Sequence, residues 1–339
     1  MKKYEFWHPR VFELPFYIYL GWQCLINGVS IRTLAKANYA LDHGEIGLGS
    51  KLDSQLAFNQ DYFLPSTLVS EDLSDEEKQA FIHQFVEEHG YPVILKSNMG
   101  CVGKGIAKVN DAADVEKFTP LLMGDYILQK FTPFNYECGV FYVRMNGKPR
   151  ITGVNKKHFP TVVGNGRDTI LTLAQQHPRY TQHWDSFLQD IDTSEVLAEN
   201  QEKRLSFIGS HTLGCKFTDD THLVTPELEK AIFHLFESQP GFNFGRVDVK
   251  CENEAAFQRG EFVVIEVNGV ASLPTNMFDP KFSVWQAYKI FFEHGKYLVK
   301  IAREHRHQPM ELLSYLDVMK QAKANAQSLN DVHQRLMGR

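Results

Sequence analysis

The chain has 339 residues, with 36 Lys plus Arg and 41 Asp plus Glu, so its formal net charge is −5. Hydrophobic residues make up 43% and charged residues 23%, which excludes a disordered, collagen-like or coiled-coil protein. The length predicts two or three packed subdomains, and the acidic balance gives no reason to expect a nucleic-acid partner.

The chain begins with an unusually aromatic segment. Its apolar stretch from Val11 to Ile26 is interrupted by Glu13, Pro15 and Gln23, so it falls short of the roughly 20 apolar residues that a spanning helix needs. It has no small-residue cleavage site, and the five cysteines form no C-x-x-C pair, which favours a reducing compartment. We therefore expect a cytoplasmic protein without a transmembrane segment. We favour a buried core helix here, and a peripheral membrane contact or a partner surface is the open alternative.

After this segment, helices and strands are interleaved. Several strands are joined by short turns such as Asn146-Gly147, so the pattern predicts an α+β fold and not a doubly wound parallel sheet. The polar residues from about Asn325 predict a frayed C-terminus. In chain order we predict a helix from Ser74 to Gly90, strands at 93–95, 106–109, 126–131 and 138–145, a helix from Thr225, strands at 244–250 and 262–268, and helices beyond Pro280.

The most informative segment is a pair of strands with alternating polar residues. Arg246 and Asp248 share one face of the first strand, and Glu266 and Asn268 share one face of the second. In a hairpin, Asp248 would lie opposite Glu266 and Arg246 opposite Asn268. Two carboxylates beside an amide oxygen suit Mg²⁺ held together with substrate phosphates, although a solvated hairpin face is the simpler alternative. The remaining side chains are expected to point into the core: Val247, Val249, Ile265 and Val267.

A lysine and a glycine-containing loop follow an apolar strand. Lys96 ends that strand, and Gly100, Gly103 and Gly105 lie in the loop after it. A lysine at this place can reach phosphate oxygens as a point charge, and glycines let backbone N–H groups approach a triphosphate closely. Taken alone, the pattern is equally typical of a flexible hairpin loop.

A second candidate nucleotide contact lies further along the chain. The extended segment Gln129, Lys130 and Phe131 can pair with adenine through its backbone, and Glu137 can accept hydrogen bonds from ribose hydroxyls. A surface carboxylate is the alternative for Glu137. His211 lies in a loop that can approach a substrate, although a single loop histidine is more often structural.

Taken in order, these segments resemble the ATP-grasp superfamily, and within it the D-alanine–D-alanine ligases and the cyanophycin-synthetase-like carboxylate–amine ligases. The resemblance covers about Lys51 to Pro280, and the chain departs from it at Gln129, where glutamate is frequent. It implies an ATP-grasp fold of two α+β subdomains that enclose ATP. The implied division is a short N-terminal aromatic-rich segment at 1–70, an ATP-grasp domain at 71–280 with subdomains 71–135 and 136–280, and a C-terminal helical extension at 281–339.

The resemblance also implies roles for individual residues. Asp248, Glu266 and Asn268 match the metal ligands, and Arg246 matches the arginine that contacts the reacting acyl phosphate. The residues implied in nucleotide binding are Lys51, Lys96, Gly100, Gly103, Gln129, Lys130, Phe131, Glu137 and Lys156, with Lys157 as the alternative to Lys156.

The implied activity is an ATP-dependent ligation of a carboxylate to an amine, with Mg²⁺ or Mn²⁺ as metal. An acyl phosphate would form first, and ADP and phosphate would be released. A phosphotransferase on the same fold and a nucleotide-binding regulator without turnover are the alternatives. The expected partners are a small-molecule carboxylate and amine, and a homo-oligomer is compatible with the sequence. The substrates themselves are not predicted, because the segment before Lys51 matches no known substrate-binding domain.

Overall fold

The structure of the chain is a computed structural model. The structure describes residues 4–46, 49–99, 103–177, 179–180 and 191–336.

Helices and antiparallel strands alternate along the described chain, as the sequence predicts for an α+β protein. The helices are α1 (Pro9–Asn27), α2 (Lys51–Leu56), α3 (Asp75–His89), α4 (Ala112–Phe118), α5 (Ile170–Gln176), α6 (Pro226–Glu237), α7 (Glu254–Gln258), α8 (Val284–Glu304) and α9 (Tyr315–Leu336). The strands are β1 (Ser66–Val69), β2 (Val93–Ser97), β3 (Ile106–Val109), β4 (Tyr126–Lys130), β5 (Tyr136–Met145), β6 (Lys148–His158), β7 (Thr161–Val163), β8 (Glu202–Arg204), β9 (Lys216–Asp219), β10 (Phe244–Cys251) and β11 (Val263–Asn268).

The described strands form two larger sheets and a small ribbon. The first sheet has the order β1-β4-β2-β3, the second has the order β11-β10-β5-β6-β9, and β7 pairs with β8. The hairpin between β5 and β6 turns at Asn146 and Gly147, both with positive φ, as the tight turn predicted from this dipeptide requires. Each large sheet has its own hydrophobic core, with α3 and α4 packed on the first and α6 and α7 on the second.

Helix α1 is only half buried, which corrects the expectation of a buried core helix. Phe12, Phe16, Leu20 and Cys24 are buried, and the rings of Phe16 and Phe291 in α8 stack at 3.8 Å. Because α1 is apolar on nearly every side, its pattern cannot reveal which side packs. Within the described residues, no helix is long and apolar enough to cross a membrane. The side of α1 away from α8 exposes Val11, Leu14, Ile18, Trp22, Leu25 and Ile26.

The C-terminal helix extends further than predicted. The polar residues from Asn325 do not fray, because α9 continues to Leu336. Leu329, Val332 and Leu336 share one helical face and are buried, and the last two belong to the core of the first sheet. The Nδ2 of Asn325 also donates a hydrogen bond of 2.8 Å to the carbonyl of Met99. Helix α9 therefore packs beside the loop that follows β2.

The N-terminal segment is tied to the strand that carries Arg246 and Asp248. The buried Asn38 accepts hydrogen bonds at its Oδ1 from the N–H groups of Asn243 and Phe244, at 2.9 and 3.0 Å. Its Nδ2 donates to the carbonyl of Phe244 at 2.8 Å. One buried amide thus satisfies the backbone at the start of β10 and fixes the segment to the second sheet.

Candidate active site

A cavity of about 590 Å³ is lined by residues of both large sheets, by the loop around His211 and by the start of the chain. Gly100 lies outside the described residues, so its position is not tested. The predicted site residues that line the cavity are Lys51, Lys96, Gly103, Gln129, Lys130, Phe131, Glu137, Arg246, Asp248, Glu266 and Asn268.

The predicted register of the carboxylate strands is confirmed. Arg246 lies opposite Asn268, and Asp248 lies opposite Glu266. All four side chains line the cavity. Neighbouring strands therefore bring two carboxylates, an amide and a guanidinium to one patch of the second sheet.

A β-bulge corrects the prediction for Ile265. Val249 pairs with Val264, so Ile265 is an extra residue between the pairs of Asp248 and Val249. Val264 is buried in its place, and Ile265 lines the cavity. The Nζ of Lys96 donates a hydrogen bond of 2.8 Å to the carbonyl of Ile265. A bulge changes the direction of side chains where it interrupts the pairing of two strands. Here the hydrogen bond from Lys96 to the bulged Ile265 also connects the first sheet to the second.

Buried ion pairs connect three strands, β5, β6 and β10, at the wall of the cavity. The guanidinium of Arg246 donates to both oxygens of Asp248, at 2.8 and 3.0 Å. Lys157 lies between two carboxylates, 3.1 Å from Asp248 and 2.7 Å from Glu137. Lys250 lies 3.5 Å from the other oxygen of Glu137. Three cations therefore surround two carboxylates, a surplus of positive charge that suits a polyanionic ligand.

The pKa values of this cluster keep its carboxylates ionised. Burial opposes ionisation of Asp248, but Arg246 and Lys157 lower its pKa to about 2. Burial likewise opposes ionisation of Glu137, and Lys157 and Lys250 bring its pKa below the usual value. Burial alone would lower the pKa of Lys157, but Asp248 and Glu137 raise it above the usual value. Lys157 is therefore a fixed positive charge at neutral pH.

Of the two lysines predicted as alternatives for the phosphate site, Lys156 does not line the cavity. Its Nζ lies 3.8 Å from the carboxylate of Glu254 and 4.3 Å from the ring centroid of Tyr136, on the side of β6 away from the cavity. Lys157 points to the opposite side and lines the cavity. A bulge in the β5–β6 hairpin places Glu137 opposite Lys157. The partner of Glu137 therefore cannot be found by counting residues from the tight turn.

Two further lysines approach the cavity from the first sheet and from α2. Lys51 is the first residue of α2 and forms an ion pair with Glu266. The Nζ of Lys96 donates to Oε1 of Gln129 at 3.1 Å. Burial lowers the pKa of Lys96 to about 7, and repulsion from Lys51 and Lys250 adds to the effect.

Nucleotide binding at pH 8 is expected to take up between about half and one proton at Lys96. Free Lys96 is mostly neutral at this pH, and nearby phosphate charge favours its protonated form. Calorimetric titration of ATP in two buffers of different ionisation enthalpy measures the uptake. The binding enthalpy should depend on the buffer for the parent and for Lys156→Met, and the dependence should vanish in Lys96→Met. Equal enthalpies in both buffers for the parent would contradict this assignment.

The backbone N–H group that is available to adenine lies one residue beyond the predicted segment. The N–H groups of Lys130 and Phe131 already donate to the carbonyls of Pro65 and Pro92, at 3.0 and 3.3 Å. Within the described part of the chain, the N–H of Thr132 has no acceptor, and Thr132 lines the cavity. The next free donor along the segment is therefore at Thr132, which the sequence pattern did not single out.

Gly103 lies where the phosphate-loop candidate meets the loop that contains His211. Its φ is +78°, and a Cβ added there would lie 2.7 Å from the side chain of Ile208. Both features require glycine. The adjacent Lys104 hydrogen-bonds to the Oδ1 of Asn330 in α9, so α9 contacts this loop at both of its ends.

The start of the chain supplies one wall of the cavity through a buried carboxylate. Glu5 accepts a hydrogen bond of 2.7 Å from Arg179, and the Nε2 of His211 lies 3.7 Å from the same oxygen. Burial opposes ionisation of Glu5, but His211 and Arg179 bring its pKa below the usual value. The ring of His211 stacks on Phe278 at 4.6 Å. Sequence reasoning missed Glu5 because it precedes every recognisable motif.

The donor set at the carboxylate strands fits a divalent cation. Asp248, Glu266 and Asn268 offer oxygen donors only, which Mg²⁺ prefers. The amide nitrogen of Asn268 is buried without a partner among the described residues, so this amide is not committed to its neighbours. The described part of the chain contains no group of three His, Cys, Asp or Glu side chains that could hold a metal ion. A metal site at Asp248 and Glu266 would therefore need the Asn268 amide and the ligand's phosphates as its other ligands. Arg246 and Lys51 now hold the two carboxylates.

Three solved structures show a general likeness to this chain. D-alanine–D-alanine ligase from Bacillus anthracis is 13% identical, with a TM-score of 0.44, over 79% of this chain and 71% of that one. A bifunctional glutathione synthetase from Pasteurella multocida is 15% identical, with a TM-score of 0.36, over 72% of this chain and 36% of that one. Carboxyaminoimidazole ribonucleotide synthase from Aspergillus clavatus is 13% identical, with a TM-score of 0.38, over 66% and 44%. This chain thus spans less than half the length of the last two.

A comparison with curated protein sequences gives no match. Residues 69–229 match the family model described as the ATP-grasp domain. The matched range begins at the end of β1 and ends in α6, and therefore includes most of the first sheet and three strands of the second. Strands β10 and β11 lie beyond it. The α+β architecture and this match confirm the predicted fold, and residues 69–229 belong to an ATP-grasp domain.

Proposed function

We propose that this chain is an ATP-dependent carboxylate–amine ligase that forms a C–N bond through an acyl phosphate. The observation that carries the proposal is the arrangement of charge in one cavity between the sheets. Oxygen donors of β10 and β11 share its wall with Arg246, and Lys51, Lys96 and Lys157 surround them. Such an arrangement suits a triphosphate with its metal beside a substrate carboxylate, whose acyl oxygen becomes negatively charged when the amine attacks.

In this proposal ATP lies between the sheets. The adenine is bound by the segment from Gln129 to Thr132, with the N–H of Thr132 as the free donor. Glu137 is the candidate partner of the ribose. Lys51, Lys96 and Lys157 hold the phosphates, which draw Lys51 and Lys157 from the carboxylates that they now neutralise. Gly103 lets the loop backbone approach the same phosphates.

Asp248, Glu266 and Asn268 are the proposed ligands of Mg²⁺ or Mn²⁺. When bound, the metal supplies positive charge that neutralises the β- and γ-phosphates. The paired residues on β10 and β11 hold the three oxygen donors on one surface of the sheet, and the second sheet's buried ion pairs fix Asp248 from below.

The reaction needs no covalent nucleophile of the protein. A carboxylate oxygen of the substrate attacks the γ-phosphorus, which gives an acyl phosphate and ADP. The amine then attacks the acyl carbon, loses a proton and expels phosphate. Arg246 stabilises the negative charge of the tetrahedral intermediate in the second step, so catalysis depends on positioning and electrostatics.

The substrates are proposed to be small molecules that bind against the N-terminal wall near Glu5 and His211. This assigns substrate selection to residues 1–70, nucleotide binding to the two subdomains at 71–135 and 136–280, and an accessory role to 281–339. A cytoplasmic location is part of the proposal, because ATP is abundant there and the four described cysteines are thiols.

A screen of amino acids, dipeptides and hydroxy acids in pairs, with Mg²⁺ and ATP, tests the proposal by phosphate release. The ligase requires release of phosphate that depends on both an acid and an amine. A stable phosphorylated product with no free phosphate would indicate a phosphotransferase. Nucleotide binding without turnover for any pair would favour a regulator and would contradict the proposal.

A further inference from the structure

Helix α1 exposes a continuous apolar stripe, defined by residues 11, 14, 18, 22, 25 and 26. The spacings are three or four residues from 11 to 25, and residue 26 follows residue 22 by four, so these side chains lie on one side of the helix. Ile18 is 66% and Leu25 78% exposed, and no charged residue interrupts the chain from Leu14 to Ile26. Because the helix is already anchored on its other side by Phe12 and Phe16, the stripe does not contribute to the core.

A row of cations runs beside this stripe on α8. The contacts Phe12–Tyr288 and Phe16–Phe291 follow the same order on both helices, so α1 and α8 are parallel. The exposed side of α8 carries six charged residues, of which four are cationic: Lys289, Glu293, Lys296, Lys300, Arg303 and Glu304.

This surface differs from the rest of the molecule in charge. The chain as a whole is acidic, with a net charge of −5, whereas the exposed row on α8 is basic. An apolar helix face flanked by Lys and Arg, with Trp22 among its residues, is the combination that lies in the interface of an anionic bilayer. Each cation near such a surface adds electrostatic attraction, which salt screens.

We propose that the stripe on α1 and the cations of α8 bind the protein peripherally to an anionic lipid surface. Helix α1 would lie in the membrane plane, with its 19 residues inserting Ile18, Trp22 and Leu25 among the lipid headgroups. Lys289 and Lys296 would contact headgroup phosphates.

A lipid surface suits these observations better than a second copy of the chain. Protein interfaces carry about ten direct hydrogen bonds that fix their register, but the stripe offers only apolar side chains and one indole N–H. A bilayer needs no fixed register, and its phosphates oppose the cations.

Co-sedimentation of the full chain with vesicles tests the proposal. We expect binding to vesicles of phosphatidylcholine and phosphatidylglycerol at 3:1, and at least tenfold weaker binding to pure phosphatidylcholine or in 0.5 M salt, because the Debye length then falls below about 5 Å. The double variant Trp22→Ser/Leu25→Ser should lose at least tenfold in affinity. So should Lys289→Glu/Lys296→Glu, but for anionic vesicles only.

Val163→Ser is the matched control, because Val163 is also exposed, at 50%, and lies on β7 away from α1. It should bind as the parent does, and all variants should keep the parent's thermal unfolding temperature. Failure of the parent to bind anionic vesicles would overturn the proposal. So would a dimer in sedimentation velocity that the Trp22→Ser/Leu25→Ser change dissociates, since the stripe would then be covered by a second copy.

Discussion

Lys157→Met is expected to destabilise the fold by about 3–5 kcal/mol and to lower ATP turnover at least about a hundredfold. Lys157 is the cation that lies between Glu137 and Asp248, and its side chain is only 6% exposed. Its removal leaves two buried carboxylates with less neighbouring positive charge, because Arg246 contacts only Asp248 and Lys250 contacts only Glu137. Urea unfolding and phosphate release measure the two effects.

Lys156→Met is the matched control for this change. Lys156 precedes Lys157 on the same strand, but its charge lies beside the half-exposed Glu254 outside the cavity. An ion pair of this kind contributes about 0–1 kcal/mol, so stability and turnover should remain close to those of the parent. Lys157→Arg keeps the charge and should recover most of the stability. Equal losses at positions 156 and 157 would contradict the assignment of the two sides of β6.

Asp248→Asn is expected to lower metal-dependent ATP turnover by at least about a thousandfold, or about 4 kcal/mol in barrier height. The pKa of Asp248 is held at about 2, so the parent carries a full negative charge here at any working pH. Asparagine has the same shape but removes the charge that would hold a cation and that now binds the Arg246 fork. Phosphate release and the Mg²⁺ dependence of nucleotide binding should both fall.

Glu261→Gln is the control for the loss of one carboxylate. Glu261 also pairs with an arginine, Arg259, but both are exposed and lie outside the cavity. This variant should turn over ATP as the parent does. A thermal unfolding measurement separates loss of fold from loss of function in Asp248→Asn. A folded Asp248→Asn protein with near-normal turnover would contradict the metal assignment.

Much of the site follows from local sequence because strand alternation is a local property. Asp248 and Glu266 lie opposite each other as the hairpin arithmetic predicts. The same reasoning fails where a bulge adds a residue. In the β5–β6 hairpin, Met145 pairs with Lys148 beside the turn, and continued regularly this register would place Glu137 opposite Lys156. The bulge after Phe141 shifts the register by one residue, so every side chain beyond it changes its partner.

Other features depend on contacts between distant parts of the chain. Glu5 lines the cavity only because α1 packs on α8 and brings the start of the chain beside His211. The last turns of α9 stay helical because Val332 is buried in the core of the first sheet. Helix α1 illustrates the same limit, because its composition is apolar throughout and the packed side is decided by tertiary structure alone.

The measurement that tests the ligase proposal most directly is oxygen transfer from a labelled carboxylate. The acid of an active substrate pair is prepared with ¹⁸O in its carboxylate, and the released phosphate is analysed by mass spectrometry. An acyl phosphate requires that one carboxylate oxygen remain on phosphorus, so each phosphate should contain one ¹⁸O per turnover of fully labelled acid. Unlabelled phosphate would show that water attacks ATP directly, and the proposed carboxylate activation would be wrong.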